Sequence, residues 1–130
     1  MVQVGAAIIS RDHRVLACQR RAAGTHPGKW EFPGGKRDRD ETVAGCVARE
    51  LREELGIAAV IGPEVWRSRH RYPGREPVEI FFFRVSSYAG RMTNLAFADV
   101  RWLALEQLPT LDFLDADRPL VTWLATSGRL

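Results

Sequence analysis

Residues 48 to 56, ARELREELG, set Glu50, Glu53 and Glu54 three and four positions apart beside Arg49 and Arg52. At about 100° per residue these acids fall on one side of a helix, while Ala44, Ala48, Leu51 and Leu55 form an apolar stripe on another. The acids are therefore expected to face away from the core. Each like-charged pair at this spacing costs roughly 0.2–0.5 kcal/mol in an isolated helix, so a positive group should compensate. Arg49 and Arg52 could do so as exposed ion pairs, which are weak. A hard divalent cation such as magnesium could do so by taking carboxylate and water oxygens and bridging to a substrate phosphate.

The elements that must position these acids read as a mixture of strands and helices. Val2 to Ile9 and Val15 to Gln19 are apolar and β-branched and flank the turn-like Arg11-Asp12-His13-Arg14, which predicts paired strands. A short strand is expected at Trp30 to Phe32, after which Pro33-Gly34-Gly35 should break any regular element. The helical pattern runs from Glu41 to Leu55 and ends at Gly56. Further strands are expected at Ala58 to Ile61, Val65 to Tyr72, Val78 to Ser87 and Val100 to Leu103. A helical turn near Leu105 to Leu108 and a last helix from Arg118 to Ala125 complete the pattern. WRSRHRY and VEIFFFRV look like hairpin partners, so the sheet should be mixed.

Composition sets the class. The 130 residues suit one domain, 1–130, with 45% hydrophobic and 27% charged content. No apolar run approaches bilayer length. MVQVGAAIIS lacks the basic region and cleavage pattern of a signal peptide, so a soluble, cytoplasmic protein is expected. Cys18 and Cys46 have no metal-type spacing and suit buried hydrophobes in a reducing compartment. The net charge of +3, with pI near 9.3, is modest. The basic tract RSRHRYPGR, 67 to 75, reads as a solvated strand end running into a turn rather than a nucleic-acid surface.

The full segment GKRDRDETVAGCVARELREELGI resembles the Nudix box, with Gly35, Glu41, Arg49, Glu50, Leu51, Glu53, Glu54, Gly56 and Ile57 at every specified position. RRAAGTHPGKWEFPGGK and VRWLALEQLP with DFLDADRPLV extend the likeness to the MutT-like branch over nearly the whole chain. The resemblance implies an α/β/α sandwich around a mixed sheet. It implies magnesium-dependent (manganese possible) hydrolysis of nucleoside triphosphates to monophosphate and pyrophosphate. It further implies metal ligands Glu50, Glu53 and Glu54 with Glu41 in the metal's surroundings, and Glu53 or Glu54 doubling as general base. Arg49 would orient a neighbouring carboxylate. Gly34 and Gly35 would let amides approach an anion.

Lys36 is a point charge for a phosphate oxygen or a solvated loop lysine. One of Arg20 and Arg21 matches an arginine that contacts the nucleotide in MutT-like proteins; the other should be surface. Relatives often carry an extra acid where this chain has Ala96, and Asp99 is a poor substitute.

Asp117 stands where MutT-like relatives acting on oxidised guanine have asparagine. An ionised carboxylate only accepts, as from a cytosine amino group, which points to cytosine; a protonated one also donates, which restores oxidised guanine. Asp117 before Arg118-Pro119 is equally a helix N-cap. Trp30, Tyr72, Phe81 and Phe83 are candidate stacking partners, with Phe81 and Phe83 more readily read as core. A nucleotide-sensing or interaction module on the same fold, or a hydrolase of another nucleoside diphosphate derivative, is the alternative. The expected partner is the nucleotide, with no membrane, no stable nucleic-acid complex and a monomeric or homodimeric state.

Overall fold

The computed structural model describes residues 1–130. Strands β1 (Val2–Arg11), β2 (Arg14–Gln19), β3 (Trp30–Glu31) and β4 (Gly34–Lys36) precede helix α1 (Val43–Leu55). Strands β5 (Ala58–His70), β6 (Val78–Ala89) and β7 (Asp99–Ala104) follow, then 3-10 turns at Leu105–Thr110 and Asp115–Asp117, and helix α2 (Arg118–Ser127). No helix is long and apolar enough to cross a membrane.

The sheet is mixed, as its hairpin pattern suggested. β1 runs parallel to β6 from Val2↔Val78 to Ile9↔Val85 and antiparallel to β4, while β6 pairs antiparallel with β5. β2 pairs with β7 and β3. β1 and β2 meet only beside their turn, at Ser10↔Val15 and Arg11↔Arg14, and then diverge. The long β1–β2 ladder implied by the sequence is thus replaced by a fork: β1 spends most of its length on β6 and β4.

Alternation along the fork explains the two apolar cores. Ala6 and Ile8 of β1, with Val15 and Ala17 of β2, join Phe82, Phe113, Leu120 and Leu124 on the α2 side. Ala7, Ile9, Leu16 and Cys18 point the other way, onto Val47, Leu51 and Leu55 of α1. A strand buried on both faces carries no polar alternation, which accounts for the unbroken GAAII and VLAC. Phe81 is buried under the Arg67 guanidinium, 4.3 Å from its ring centroid, and Phe83 packs on the α1-side core, so neither lines a base pocket.

Three elements differ most from the sequence pattern. Ala58–Ile61 and Val65–Tyr72 are one 13-residue strand, β5, ending at His70, with register shifts between Val60 and Trp66 that absorb Gly62-Pro63 at a bulge. Gly34–Lys36 does not interrupt structure; it is β4, lying on β1 with Gly35 opposite Gly5. The reason is space. A Cβ at Gly34 would strike the Gly5 carbonyl oxygen, and one at Gly5 would come within 2.6 Å of Val47 Cγ2. Only glycine lets β1, β4 and α1 lie this close. α1 begins at Val43, not Glu41, because Thr42 Oγ1 caps it by accepting from Gly45 N at 3.0 Å.

Candidate active site

α1 lays its acidic edge over the β4 glycines. Glu54 Oε1 accepts from Gly34 N at 3.2 Å, and the Glu50 carboxyl sits where a Gly35 side chain would be. The three helix acids therefore do not share one exposure. The Glu50 side chain is 17% exposed and that of Glu53 56%. Burial and the charges of Glu50 and Glu31 push Glu54 up to about 9. The expectation that all the acids face away from the core holds for Glu53 alone: the glycine floor leaves a recess that Glu50 and Glu54 enter.

Arg49 gathers the remaining charge. Its Nη2 reaches Glu41 Oε1 at 2.7 Å and Lys36 O at 3.1 Å, and its Nη1 reaches Glu50 Oε1 at 2.9 Å and Glu53 Oε1 at 3.3 Å. The hydrogen bonds from Arg49 and from the Asp38 amide hold Glu41 down to about 2. Glu50 is raised by burial, against the pull of Arg49. Arg52 makes none of these ion pairs; its backbone oxygen accepts the Gly56 amide that closes the helix.

Glu54 lines a cleft of about 590 Å³ together with Arg20, Glu31, Lys36, Tyr72 and Asp117, while Glu41, Arg49, Glu50 and Glu53 lie outside its lining. Gly35 lines it too, so Gly35, Lys36 and Glu54 of the box region come together with Arg20 and Asp117. Arg21 does not: it is exposed and outside the lining. Arg20 Nη1 lies 3.2 Å from both Glu31 oxygens, and its Nε and Nη2 hold Thr25 at 2.9 and 2.8 Å. Ala96 packs against the α1-side core beside Asn94, whose Oδ1 accepts its amide, and Asp99 pairs with Arg101. The loop carrying Ala96 is fastened to the end of α1, Thr93 N on Leu55 O and Leu95 N on Glu54 O, both at 2.9 Å.

Glu31 is the residue that the sequence reading passed over. It is mostly buried, and burial raises it to about 7 against the opposing pull of Arg20. The signal was one charge between two aromatics: Trp30 and Phe32 belong to the α2-side core, so in a strand the residue between them turns the other way, toward the α1 acids. Asp117 is 4% exposed. It occupies the N-cap position of α2 but makes no capping bond. Burial and the charge of Glu31 raise it well above the ordinary aspartate value, which favours the neutral acid. Tyr72 faces His26, ring centroids 4.5 Å apart, and its hydroxyl accepts from Ala116 N at 3.1 Å. Trp30 is core.

A match to the NUDIX domain spans residues 1–124. The chain belongs to the Nudix family. It is 36% identical over 121 residues to the CTP pyrophosphohydrolase of Escherichia coli, covering 93% of this chain and 89% of that one. It is 31% identical over 124 residues to the 8-oxo-dGTP diphosphatase of the same species, covering 95% of each. The crystal structure of a MutT Nudix hydrolase from Burkholderia pseudomallei superposes with a TM-score of 0.84 at 28% identity, covering 93% of this chain and 95% of that one. The mixed sheet with its helices is thus the α/β fold of MutT-type Nudix hydrolases, and the chain is a Nudix hydrolase.

Nudix hydrolases use a divalent metal, and the donor set here fits one. As the side chains stand, no group of three or more His, Cys, Asp or Glu forms a closed cage, because Glu50 and Glu53 lean on Arg49. Yet the available donors are hard carboxylate oxygens. Glu54 carries a charge penalty from Glu50 that a cation would reverse.

Proposed function

We propose that this Nudix hydrolase cleaves nucleoside 5′-triphosphates to monophosphate and pyrophosphate, with magnesium, or manganese in its place, held by Glu50, Glu53 and Glu54. The observation that carries this reading is the continuity of one cleft, from Glu54 on α1 past Lys36 and Arg20 to the buried Asp117. Its volume lies within the range of small-molecule sites.

When bound, the metal neutralises phosphate oxygens and polarises the phosphorus under attack. Lys36 supplies a point charge to a phosphate oxygen, and the Gly35 backbone lets the chain approach it closely. Arg49 keeps Glu41, Glu50 and Glu53 aimed at a common region; Glu41 serves there as a support rather than a direct ligand. Glu54 Oε1 is occupied by Gly34 N, which leaves Oε2 to take the proton of the attacking water. Without a cation that carboxyl, with a value of about 9, is protonated at neutral pH; beside a bound divalent ion its value falls and it becomes a base. Glu53, the most exposed of the three, completes the ligand set and is the alternative base.

At the far end, a neutral Asp117 offers one donor and one acceptor side by side. Cytosine answers with N3 and its amino group, and 8-oxoguanine with O6 and N7–H. Arg20 and Glu31 flank this edge, and Tyr72 with His26 offers aromatic faces. The likeness to the E. coli CTP pyrophosphohydrolase supports ranking cytidine triphosphates first.

The test is pyrophosphate release from a panel of triphosphates, with magnesium and with chelator. Magnesium-dependent release led by CTP, dCTP or 8-oxo-dGTP supports the proposal; no release from any of them refutes it. Asp117 is tested in the same panel. Asp117→Asn keeps the donor-acceptor pair, so the ranking holds within about threefold, whereas Asp117→Leu loses at least tenfold on the leading substrate. A reversed ranking in Asp117→Asn would show that the carboxylate acts ionised.

A further inference from the structure

A second concavity, of about 470 Å³, shares no lining residue with the catalytic cleft and is lined by the ends of β1 and β6, the loop after β6, and β7. Its walls include Tyr88, Met92, Val100 and Trp102, which pack inward on the α1-side core and leave their outer faces to the cavity. Arg11 and Arg91 stand at its rim, and no acid lines it.

The charge there is uncompensated. Arg11 and Arg91, like nine other arginines of the chain, have no carboxylate partner; what sets them apart is that they line one concavity with two aromatic rings and no acid. The Arg11 guanidinium lies 6.0 Å from the Trp102 ring centroid, so a cation is already stationed beside the aromatic face. The floor of the site is preformed. Asn94 spends its side chain on its own loop, donating to Phe97 O at 2.9 Å and accepting from Ala96 N and Phe97 N at 3.2 and 2.8 Å.

Two guanidiniums that share a concavity with an indole and a phenol ring suit an anion attached to a planar ring. A phosphate monoester, with a charge of about −1.5 to −2 at neutral pH, balances two arginines; a triphosphate exceeds them and a nucleic-acid diester supplies one charge per unit. We propose that this cavity is a second ligand site that takes a nucleoside monophosphate, its phosphate between Arg11 and Arg91 and its base against Trp102. The assignment does not depend on the catalytic reading, because the two sites share no residue.

The experiment is an NMR titration of the magnesium-loaded, ¹⁵N-labelled full chain with cytidine 5′-monophosphate, with inorganic phosphate, cytidine and a single-stranded oligonucleotide as parallel probes. The Trp102 indole, Gly90 amide and Asn94 side-chain signals should shift saturably with the monophosphate. In an Arg11→Ala/Arg91→Ala double variant, both sites being exposed and outside the core, the midpoint of these shifts should weaken at least tenfold. The Gly34 and Gly35 signals of the catalytic cleft should keep theirs. Silent Trp102, Gly90 and Asn94 signals, or an unchanged midpoint in the double variant, overturn the proposal. Inorganic phosphate with the same midpoint as the monophosphate reduces the site to a simple anion site and overturns the nucleotide assignment. Tighter binding of the oligonucleotide, lost in the double variant, overturns it in favour of a nucleic-acid surface.

Discussion

Gly35→Ala is the sharpest test of how α1 and β4 make the site. An added Cβ would lie 2.5 Å from the Glu50 carboxyl carbon and 2.6 and 2.8 Å from its oxygens, where ordinary contact begins at 3.4 Å. Glu50 must therefore retreat by about 0.9 Å, the scale of misplacement that costs roughly 10²-fold in a catalytic constellation. That factor corresponds to about 2.7 kcal/mol of transition-state stabilisation. Stability should change by less than about 1 kcal/mol, because the group that yields is a side-chain end rather than backbone. Steady-state pyrophosphate release with magnesium gives kcat/KM, and urea unfolding gives the stability. Gly45→Ala is the control: its Cβ meets Thr42 Oγ1 at 3.1 Å and, in ordinary contact, Glu41 Cβ at 3.9 Å, and does not touch Glu50. If Gly35→Ala stays within threefold of the parent kcat/KM, the position of the Glu50 carboxylate does not matter to the reaction and the proposed site is wrong.

Other perturbations follow from the same geometry. Arg49→Lys replaces a fork that hydrogen-bonds three carboxylates with a single ammonium, so kcat should fall at least tenfold while far-ultraviolet circular dichroism stays the same; unchanged kcat would make the arginine a mere surface pairing. Arg20→Ala should raise KM at least tenfold, and Arg21→Ala should leave it within twofold; equal effects would remove the distinction between a cleft residue and an exposed one. Stability should also depend on pH. Glu31 and Glu54 have folded values near 7 and 9 against an ordinary 4.5, so the native state holds protons that the unfolded chain has released. The stability these two groups contribute is complete below about pH 4.5 and is lost as pH rises toward 7 for Glu31 and 9 for Glu54. Urea unfolding with chelator should therefore show stability falling from pH 5 to pH 8, less steeply in Glu31→Gln and less steeply with magnesium; a flat or rising profile in chelator contradicts these assignments.

The box was legible because its chemistry is local: Arg49, Glu50, Glu53 and Glu54 lie within one helix, whose periodicity fixes their relative directions. What the helix faces was not local. The burial of Glu54 depends on Gly34 meeting it from 20 residues away, and the role of Gly35 depends on β4 lying along β1, a pairing that three residues cannot announce. Glu31 escaped for a related reason: a two-residue strand has too little alternation to declare its faces until Trp30 and Phe32 are known to be core. Asp117 was placed at a helix start correctly, but only tertiary burial separates a capping carboxylate from a neutral one.

The amides of Thr93 and Leu95, bonded to Leu55 O and Glu54 O, bear on how the acids are held. Helix ends fray because their last carbonyls lack partners, and Glu53 and Glu54 occupy the last turn, where the macrodipole also disfavours negative charge. Here a distant loop supplies donors to those carbonyls, and Gly56 N closes onto Arg52 O. The turn of α1 that would otherwise unwind first is stitched shut, so the acids stand on a stationary platform. The loop that lacks an acid at Ala96 still serves the site through its backbone.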